Sequence, residues 1–291
     1  MLLQEASNTQ ECLERITAAF DTAELFFGHG TDNAWDEACW LVETLARRQQ
    51  MPALQLDTVL PATLLVEIDQ LATRRIETRK PLAYLLNEAW FCDVPFYVDE
   101  RVLVPRSPFA ELIRNRFETL LPKSPRRILD LCTGGGCIGI ACALAFPDAE
   151  VVLADLSPDA LAVARINVDK HGLGTRVQLV ESDLFERVPG KFDLIVSNPP
   201  YVGAEEYADL PDEYLREPQL GLLTGNDGLE IPLKILAQAA EHLADDGVLL
   251  LETGATWPLL DEACPQLPFL WLEFEHGGEG ICALKAADLR S

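Results

Sequence analysis

Hydrophobic residues in the first part of the chain recur three and four positions apart, which is typical of amphipathic helices. This spacing is clear in segments 11–26, 33–46 and 62–80. Asn33 begins the second of these segments and can accept a hydrogen bond from the free backbone N–H groups of the first turn. We therefore expect residues 1–88 to form a small helical domain.

The next segment, residues 89–107, breaks the helical spacing. Its sequence AWFCDVPFYVDERVLVPRS places apolar and aromatic residues on both sides of Asp93. Two such runs around a short polar centre predict a β-hairpin. We expect this hairpin to connect the helical domain to the rest of the chain.

From residue 108 onward, short continuous apolar runs alternate with helical segments. Five runs predict strands: RRILDLC, EVVLADL, RVQLVES, FDLIVSN and GVLLLET. Helical spacing is clearest at 158–170 and 229–243, and Ser157 before Pro158 predicts a helix start. Buried strands that alternate with helices form a parallel sheet covered on both faces. Residues 108–291 are therefore expected to form an α/β domain.

The last two apolar runs, FLWLEFEH and GICALKA, are joined only by the short segment GGEG. A connection this short permits antiparallel pairing, whereas parallel strands need a much longer crossover. The fold class predicted is thus α/β, with a mostly parallel sheet and an antiparallel pair at one edge.

The charge of the chain narrows the possible partners. The 23 basic and 47 acidic residues give a formal net charge of −24 at pH 7. So negative a surface repels the phosphate backbone of nucleic acids and attracts basic proteins. We therefore expect a basic protein partner and no specific binding to nucleic acid.

Targeting and metal signals are not evident in the sequence. The start MLLQEASNTQE has neither the basic residues nor the apolar core of a secretion signal, and the longest apolar run, 137–146, is too short to cross a membrane. The eight cysteines form no C-x-x-C pair, so neither zinc nor a redox dithiol is indicated. We expect a cytoplasmic protein with no membrane partner and no metal.

A glycine-rich turn follows the first predicted strand of the α/β domain, in ILDLCTGGGCIGIA. Gly134, Gly136 and Gly139 satisfy the G-x-G-x-x-G pattern, and Asp155 follows at the end of the next strand. On this pattern alone, a nicotinamide dinucleotide site is a fair interpretation.

Acidic residues at the strand ends favour a different ligand. Asp130 stands inside the turn, where a carboxylate opposes a pyrophosphate but suits an ammonium group. Asp155 can accept hydrogen bonds from ribose hydroxyls, and Asp183 can accept one from an adenine amine. The ligand described is a nucleoside that carries an ammonium group and no phosphate. S-adenosylmethionine fits this description and NAD does not.

The fourth strand ends in SNPPY, a stiff turn in which no proline can donate to the sheet. The side-chain oxygen of Asn198 and the main-chain oxygen of Pro199 can each accept one hydrogen of a substrate NH2 group. Tyr201 can pack on the flat amide, and Pro199 and Pro200 keep the acceptors rigid. With both hydrogens held, the nitrogen lone pair points at a methyl donor.

The ordered set DLCTGGGCIG, ADLS, SDLF and SNPPY resembles the class I S-adenosylmethionine-dependent methyltransferases, which have a Rossmann-like sheet. The resemblance implies the following donor-binding residues: Asp130, Cys132, Thr133, Gly134, Gly136, Asp155, Leu156, Asp183, Leu184 and Asn198. Cys132 replaces the first glycine of the usual acid-x-Gly-x-Gly-x-Gly pattern, and a small side chain is tolerable there if its φ is negative.

Within that class, NPPY is typical of enzymes that methylate a planar nitrogen. RVLVPRSPFAELI and REPQLGLLTGNDGL resemble the protein glutamine methyltransferases that modify peptide release factors and a ribosomal protein. PRSPFAEL departs from the release-factor branch, while FFGHGTDNAWDEACWLV and AYLLNEAWFCDVPFYVDERVLVPRS resemble the branch acting on large-subunit ribosomal protein number three.

This resemblance implies a basic ribosomal protein as substrate, seated with help from the helical domain. It places Asn198, Pro199 and Tyr201 in catalysis, Pro200 beside them, and Arg106 in contact with substrate or the cofactor carboxylate. Glu217, Asn226 and Asp227 are expected to shape the loop on the substrate side. Three alternatives stay open: a release-factor glutamine methyltransferase, an adenine methyltransferase acting on nucleic acid, and a binding protein without activity. The acidic charge weighs against the second and the intact NPPY against the third.

Overall fold

The computed structural model describes residues 3, 8–275 and 277–290. The start of the chain, on which the expectation of a missing secretion signal rests, therefore lies mostly outside the described residues. Two compact units are present: Met1–Ala89 with Pro211–Arg216, and Trp90–Leu210 with Glu217–Ser291. No helix among the described residues combines the length and the hydropathy that crossing a membrane requires.

The α-helices that the structure describes in the first unit are α1 (Thr9–Thr22), α2 (Ala34–Arg48), α3 (Ala62–Thr78) and α4 (Leu82–Leu86). Asn33 caps α2 as predicted, because its side-chain oxygen accepts a hydrogen bond from the backbone N–H of Asp36 at 2.9 Å. Asn8 caps α1 in the same way. The apolar faces of the helices meet in one core that includes Ile16, Phe20, Leu41, Leu45, Leu64 and Ile68.

A buried ion cluster lies beside this core. Arg75 is 0% exposed, and its Nε donates to Glu37 at 2.7 Å while its Nη1 donates to Glu213 at 3.2 Å. Arg79 adds a second bond to Glu213, and Nη2 of Arg75 donates to the carbonyl of Phe26. Each buried charge thus has an opposite charge within hydrogen-bonding distance, which the interior requires.

This cluster explains why Pro211–Arg216 groups with the helices. The segment lies far along the chain, yet Glu213 also accepts from the N–H of Phe26 at 3.1 Å. The ring of Tyr214 packs against those of Phe26 and His29, with centroids 5.6 and 4.5 Å apart. The sequence predicted a continuous domain over residues 108–291. It did not predict that Pro211–Arg216 groups with the helical unit.

Replacing Arg75 with leucine tests the ion cluster. The change leaves Glu37 buried without its cation, and breaking a buried pair in this way costs about 3–5 kcal/mol. Arg74→Leu is the matched control, because Arg74 is exposed on the same helix. We expect native-state hydrogen exchange to show faster opening of α2 and α3 in Arg75→Leu alone. Equal protection in the two variants would contradict the role of the cluster.

The second unit begins with the hairpin expected around Asp93. Strands β1 (Ala89–Phe91) and β2 (Val94–Phe96) pair as a two-stranded sheet. Cys92 and Asp93 between them both have positive φ, 50° and 61°. Two consecutive left-handed residues are the geometry that matches a tight hairpin to the twist of its strands.

A seven-stranded sheet forms the centre of this unit. Its strands are β3 (Arg127–Leu131), β4 (Glu150–Asp155), β5 (Val177–Glu181), β6 (Phe192–Ser197), β7 (Leu243–Glu252), β8 (Leu270–Trp271) and β9 (Ile281–Lys285). Their order is β5-β4-β3-β6-β7-β9-β8, parallel from β5 to β7 and antiparallel for the last two. The predicted fold class is therefore confirmed.

Helices cover both faces of this sheet. Those with buried side chains are α5 (Phe109–Arg114), α6 (Cys137–Ala145), α7 (Pro158–Lys170), α9 (Glu230–His242) and α10 (Trp257–Ala263), whereas α8 (Ala204–Ala208), after the NPPY turn, has none. Side chains alternate between two cores along each strand: on β3, Ile128 faces one core and Leu129 the other. Burial on both faces explains why the strands have continuous apolar sequences.

The strand order reverses beside β3. The chain runs from β3 outward through β4 to β5, and then returns to place β6 on the other side of β3. Open parallel sheets bind ligands at the carboxyl ends of their strands beside such a reversal. The fold thus directs attention to the turns that follow β3, β4 and β6.

Candidate active site

A cavity of about 560 Å³ lies at these strand ends, within the second unit. Its volume is in the range of cofactor and ligand sites. Twelve of the fourteen residues predicted for the site line it: Arg106, Cys132, Thr133, Gly134, Asp155, Leu156, Asp183, Leu184, Asn198, Pro199, Pro200 and Tyr201. The two that do not are Asp130 and Gly136.

Asp130 lies beneath the cavity and supports the turn after β3. It is 1% exposed, and its Oδ2 accepts hydrogen bonds from Thr133 Oγ1 at 2.5 Å and from the N–H of Gly139 at 2.8 Å. Burial raises the pKa of this carboxyl to about 7, against the lowering effect of those two donors. Its observed contacts tie the strand to α6, whereas the sequence predicted a contact with the ligand.

The glycines of the turn have different tasks. Gly136 has a φ of 83° and precedes α6, and a Cβ there would crowd Ile140 and Leu153 at 3.1 and 3.2 Å. Gly134 also has a positive φ, 54°, but a Cβ there would meet nothing within 4 Å. Gly136 therefore serves close packing of helix on sheet, while Gly134 leaves open space in the wall of the cavity.

Cys132 corrects an expectation about the backbone. Its φ is +60°, in the left-handed region, and not negative as a tolerated cysteine would require. A non-glycine residue pays about 1–2 kcal/mol in this conformation. Cys132 therefore keeps the backbone conformation of the glycine that it replaces.

A pair of substitutions measures this strain. Cys132→Ala removes the thiol but keeps a Cβ, and Cys132→Gly removes both. At an ordinary position alanine is the more stable of the two, whereas here we expect the glycine variant to be more stable by about 1 kcal/mol. The free energy of unfolding, from denaturant titration, gives the answer. If alanine were the more stable, Cys132 would not be strained.

Asp155 ends β4 and retains acceptor capacity toward the cavity. Its Oδ2 accepts from the N–H of Gly134 at 2.8 Å and its Oδ1 from the N–H of Ser157 at 2.9 Å. The backbone N–H of Leu156 is a further donor to this carboxylate. An ionised carboxylate has about four acceptor positions, so acceptor capacity remains for a hydroxyl of a ligand. The bonds to backbone aim the carboxylate. Asp183, after β5, is exposed and lines the same cavity.

The NPPY turn is held at both ends. Ser197 Oγ, at the end of β6, donates to the carbonyl of Leu131 at 2.7 Å. Beyond the turn, the N–H of Val202 donates to the carbonyl oxygen of Leu222 at 2.9 Å. The N–H of Thr224 donates to the carbonyl oxygen of Val202, also at 2.9 Å. These hydrogen bonds tie the NPPY turn to Leu131 on one side and to the segment 222–224 on the other.

Asn198 presents its amide to the cavity. Among the residues that the structure describes, its side chain has no hydrogen-bond partner, and it lines the cavity wall. Pro199 is buried and Pro200 half-buried beside it. An amide without an internal partner, on a turn this rigid, is available to a ligand.

Arg106 lines the cavity but its guanidinium is engaged. Nη1 and Nη2 each donate to a carboxylate oxygen of Glu217 at 2.7 Å, a two-bond fork. The N–H of Val104 donates to the same carboxylate at 2.9 Å. The pair joins the segment before α5 to the loop after the NPPY turn. A contact of Arg106 with substrate or cofactor stays a prediction, and the observed contact is structural.

Glu252 is a residue of the cavity wall that the sequence reasoning missed. It ends β7 and is 4% exposed, and its carboxylate accepts from the hydroxyls of Tyr201 and Ser107. Burial raises the pKa of Glu252 to about 7, although Ser107, Tyr201 and Arg106 lower it. A signal was present, because an acid ends the run VLLLE as Asp155 ends VVLAD.

Comparison with known proteins now adds to this geometry. The profile of the family "Methyltransferase small domain" matches residues 113–217. A ribosomal protein uL3 glutamine methyltransferase of Francisella tularensis is 45% identical over 273 residues, 91% of this chain and 86% of that protein. The enzyme of the same name from Neisseria gonorrhoeae is 45% identical over 284 residues, 97% of this chain and 95% of that protein.

This chain belongs to the uL3 glutamine methyltransferase family. The family confirms the predicted methyltransferase. A crystal structure of the hMettl16 catalytic domain in complex with MAT2A 3'UTR hairpin 6 is 15% identical, with a TM-score of 0.51 over 83% of this chain and 90% of that one. At that identity the likeness shows a shared fold alone.

Proposed function

We propose that this protein transfers a methyl group from S-adenosylmethionine to the side-chain amide nitrogen of a glutamine in ribosomal protein uL3. One observation carries the proposal: Asp155 and Asn198 line the same cavity. The first suits a nucleoside and the second suits an NH2 group. Relatives that cover nearly the whole chain are named for this reaction.

The charges of the cavity support a cationic nucleoside as donor. Its acidic lining residues are Asp155, Asp183, Glu230, Glu252 and Glu279, and its basic ones are Arg101 and Arg106. Both arginines are paired, Arg101 with Asp99 and Arg106 with Glu217. A pyrophosphate would find no uncommitted cation among these lining residues, whereas a sulfonium and an ammonium group would find acids. The residues present therefore fit S-adenosylmethionine better than NAD.

Cys132, Thr133 and Gly134 would hold the donor at the glycine turn, and Asp155 and Leu156 would hold its nucleoside end, with Asp183 and Leu184 beside the base. When bound, the donor supplies a methyl group attached to a positively charged sulfur. The protein's contribution is then to orient the two reactants. For a weak nucleophile, correct orientation removes a large part of the activation barrier.

The acceptor amide is oriented by the NPPY turn. An amide nitrogen is a poor nucleophile because its lone pair is delocalised into the carbonyl group. The side-chain oxygen of Asn198 and the main-chain oxygen of Pro199 accept its two hydrogens, which turns the lone pair toward the methyl carbon. Tyr201 packs on the plane of the amide. The nitrogen would gain the methyl group, the electrons of the broken carbon–sulfur bond would stay with the donor, and the proton lost by the nitrogen would pass to solvent.

The protein substrate is favoured by charge. The chain carries a net charge of −24, and a basic ribosomal protein is attracted to such a surface at long range. The same charge disfavours free nucleic acid. The helical unit is proposed to help seat the substrate, and the cytoplasm, where ribosomal proteins are made, is the proposed location.

Labelling of an extract tests the proposed substrate. The protein is incubated with labelled S-adenosylmethionine and an extract of cells that lack it, and the labelled species are identified by mass spectrometry. We expect label on one glutamine of uL3. Label on a release factor would support the closest alternative, and label on DNA or RNA would overturn a protein substrate altogether.

Two substitutions separate donor binding from transfer. Asn198→Ala removes an orienting acceptor and should slow transfer about 100-fold or more, while the Kd for the donor stays unchanged. Asp155→Ala should instead weaken donor binding in calorimetry. Asn115→Ala is the control, because Asn115 is exposed at the end of α5. If Asn198→Ala and Asp155→Ala changed the same quantity, the assigned roles would be wrong.

A further inference from the structure

We propose that Glu252 and Gly254 form a seat that fixes the ring of Tyr201 and act as positioning residues for methyl transfer. This inference rests on the proposed function, in which that ring packs on the acceptor amide. It concerns side-chain orientation, which the NPPY turn does not settle. Prolines restrict backbone φ, but the two side-chain torsions of Tyr201 are free of that restriction.

The first contact of the seat is a hydrogen bond at the end of the ring. Tyr201 Oη donates to Glu252 Oε1 at 3.3 Å, across 51 residues of sequence. The second oxygen of Glu252 accepts from Ser107 Oγ, and the carboxylate is buried. Because Glu252 is itself held by Ser107, it can set the direction of the tyrosine hydroxyl.

The second contact lies under the ring. A Cβ on Gly254 would be 3.0 Å from Cζ of Tyr201 and only 2.6 Å from Cε2, and the second distance is shorter than real Cβ contacts. The ring therefore packs directly on the backbone of Gly254. Only glycine permits this approach, and the φ of +48° at Gly254 favours glycine as well.

The backbone beneath the ring is rigid. The N–H of Thr253 donates to the carbonyl of Gly280 at 2.7 Å, and a Cβ on Gly280 would be 2.1 Å from the carbonyl oxygen of Gly254. Main chain also lies close to the backbone of Tyr201, since a Cβ on Gly228 would be 2.1 Å from its carbonyl oxygen. The ring of Tyr201 thus has three contacts that hold it: the backbone of Gly254 beneath it, the main chain around Tyr201 itself, and the hydrogen bond from its hydroxyl to Glu252.

This arrangement gives Glu252 and Gly254 an indirect part in the reaction. Both touch Tyr201, and Tyr201 would touch the amide. A ring that is fixed before the substrate arrives loses no torsional freedom on binding, whereas a mobile ring does. The seat should therefore affect transfer more strongly than donor binding.

A double-mutant cycle tests the hydrogen bond. Tyr201→Phe, Glu252→Ala and the double variant are compared in single-turnover transfer to uL3 at saturating donor. We expect each single change to slow transfer about tenfold and the double variant to be no slower than either. Glu252→Gln keeps an acceptor and should recover most of the rate. Glu262→Ala, an exposed glutamate on α10, is the control.

Two results would overturn the hydrogen-bond part of the seat. One is a double variant whose loss equals the product of the single losses, which would mean that Glu252 acts independently of Tyr201. The other is a raised donor Kd in Glu252→Ala with an unchanged transfer rate at saturation. A merely structural Glu252 would give the first result.

Gly254→Ala tests the contact between the Tyr201 ring and the Gly254 backbone, and its main readout does not depend on activity. Its Cβ must displace the Tyr201 ring, which a crystal structure of the variant would show, and transfer should slow. Gly172→Ala is matched, because Gly172 also has a positive φ, 66°, but faces open space. An undisplaced ring in Gly254→Ala, or an equal effect of Gly172→Ala, would overturn the seat. Failure of the unaltered protein to methylate uL3 would overturn only the proposed substrate, since the displacement is measured without substrate.

Discussion

The parallel pairing of β3 and β6 is the constraint on which the site depends. Leu131 pairs with Ser197 in register, and the hydroxyl of Ser197 donates to the carbonyl of Leu131. The glycine turn begins one residue after the first of these partners and the NPPY turn one residue after the second. Two segments that are far apart in sequence therefore open at the same level into the same cavity, one suited to a methyl donor and one to its acceptor.

Three acidic residues at the strand ends differ in their hydrogen-bond partners. Asp130 uses one oxygen to hold the turn above it and is sealed from the cavity. Asp155 accepts two backbone N–H groups and keeps acceptors for a ligand. Glu252 accepts two side-chain hydroxyls, one of them from Tyr201. The donors that surround each carboxylate therefore decide whether it supports the backbone, a ligand or an aromatic ring.

Rigidity around the reacting groups comes from backbone more than from packing. Prolines stiffen the turn after β6, and glycines at 228, 254 and 280 allow main chain and ring to approach more closely than any side chain would permit. Cys132 accepts a left-handed conformation in the same region. Strain and close approach of this kind are typical of sites where geometry, and not an acid or base, lowers the barrier. A methyl transfer to a weak nucleophile is such a reaction.

The sequence by itself determined the elements of this protein. Helical spacing predicted the main helices and the cap at Asn33, and continuous apolar runs predicted the strands of the sheet, because the local pattern of apolar residues reports which faces of an element are buried. The motifs at the strand ends identified eleven residues of the cavity wall, and the resemblance to known enzymes added Arg106. Tertiary structure alone decided the pairings: Arg106 with Glu217 across 111 residues, Ser107 with Glu252 across 145, and Arg75 with Glu213 across 138. No local sequence pattern links the two residues of such a pair, because only the folded chain brings their polar groups together.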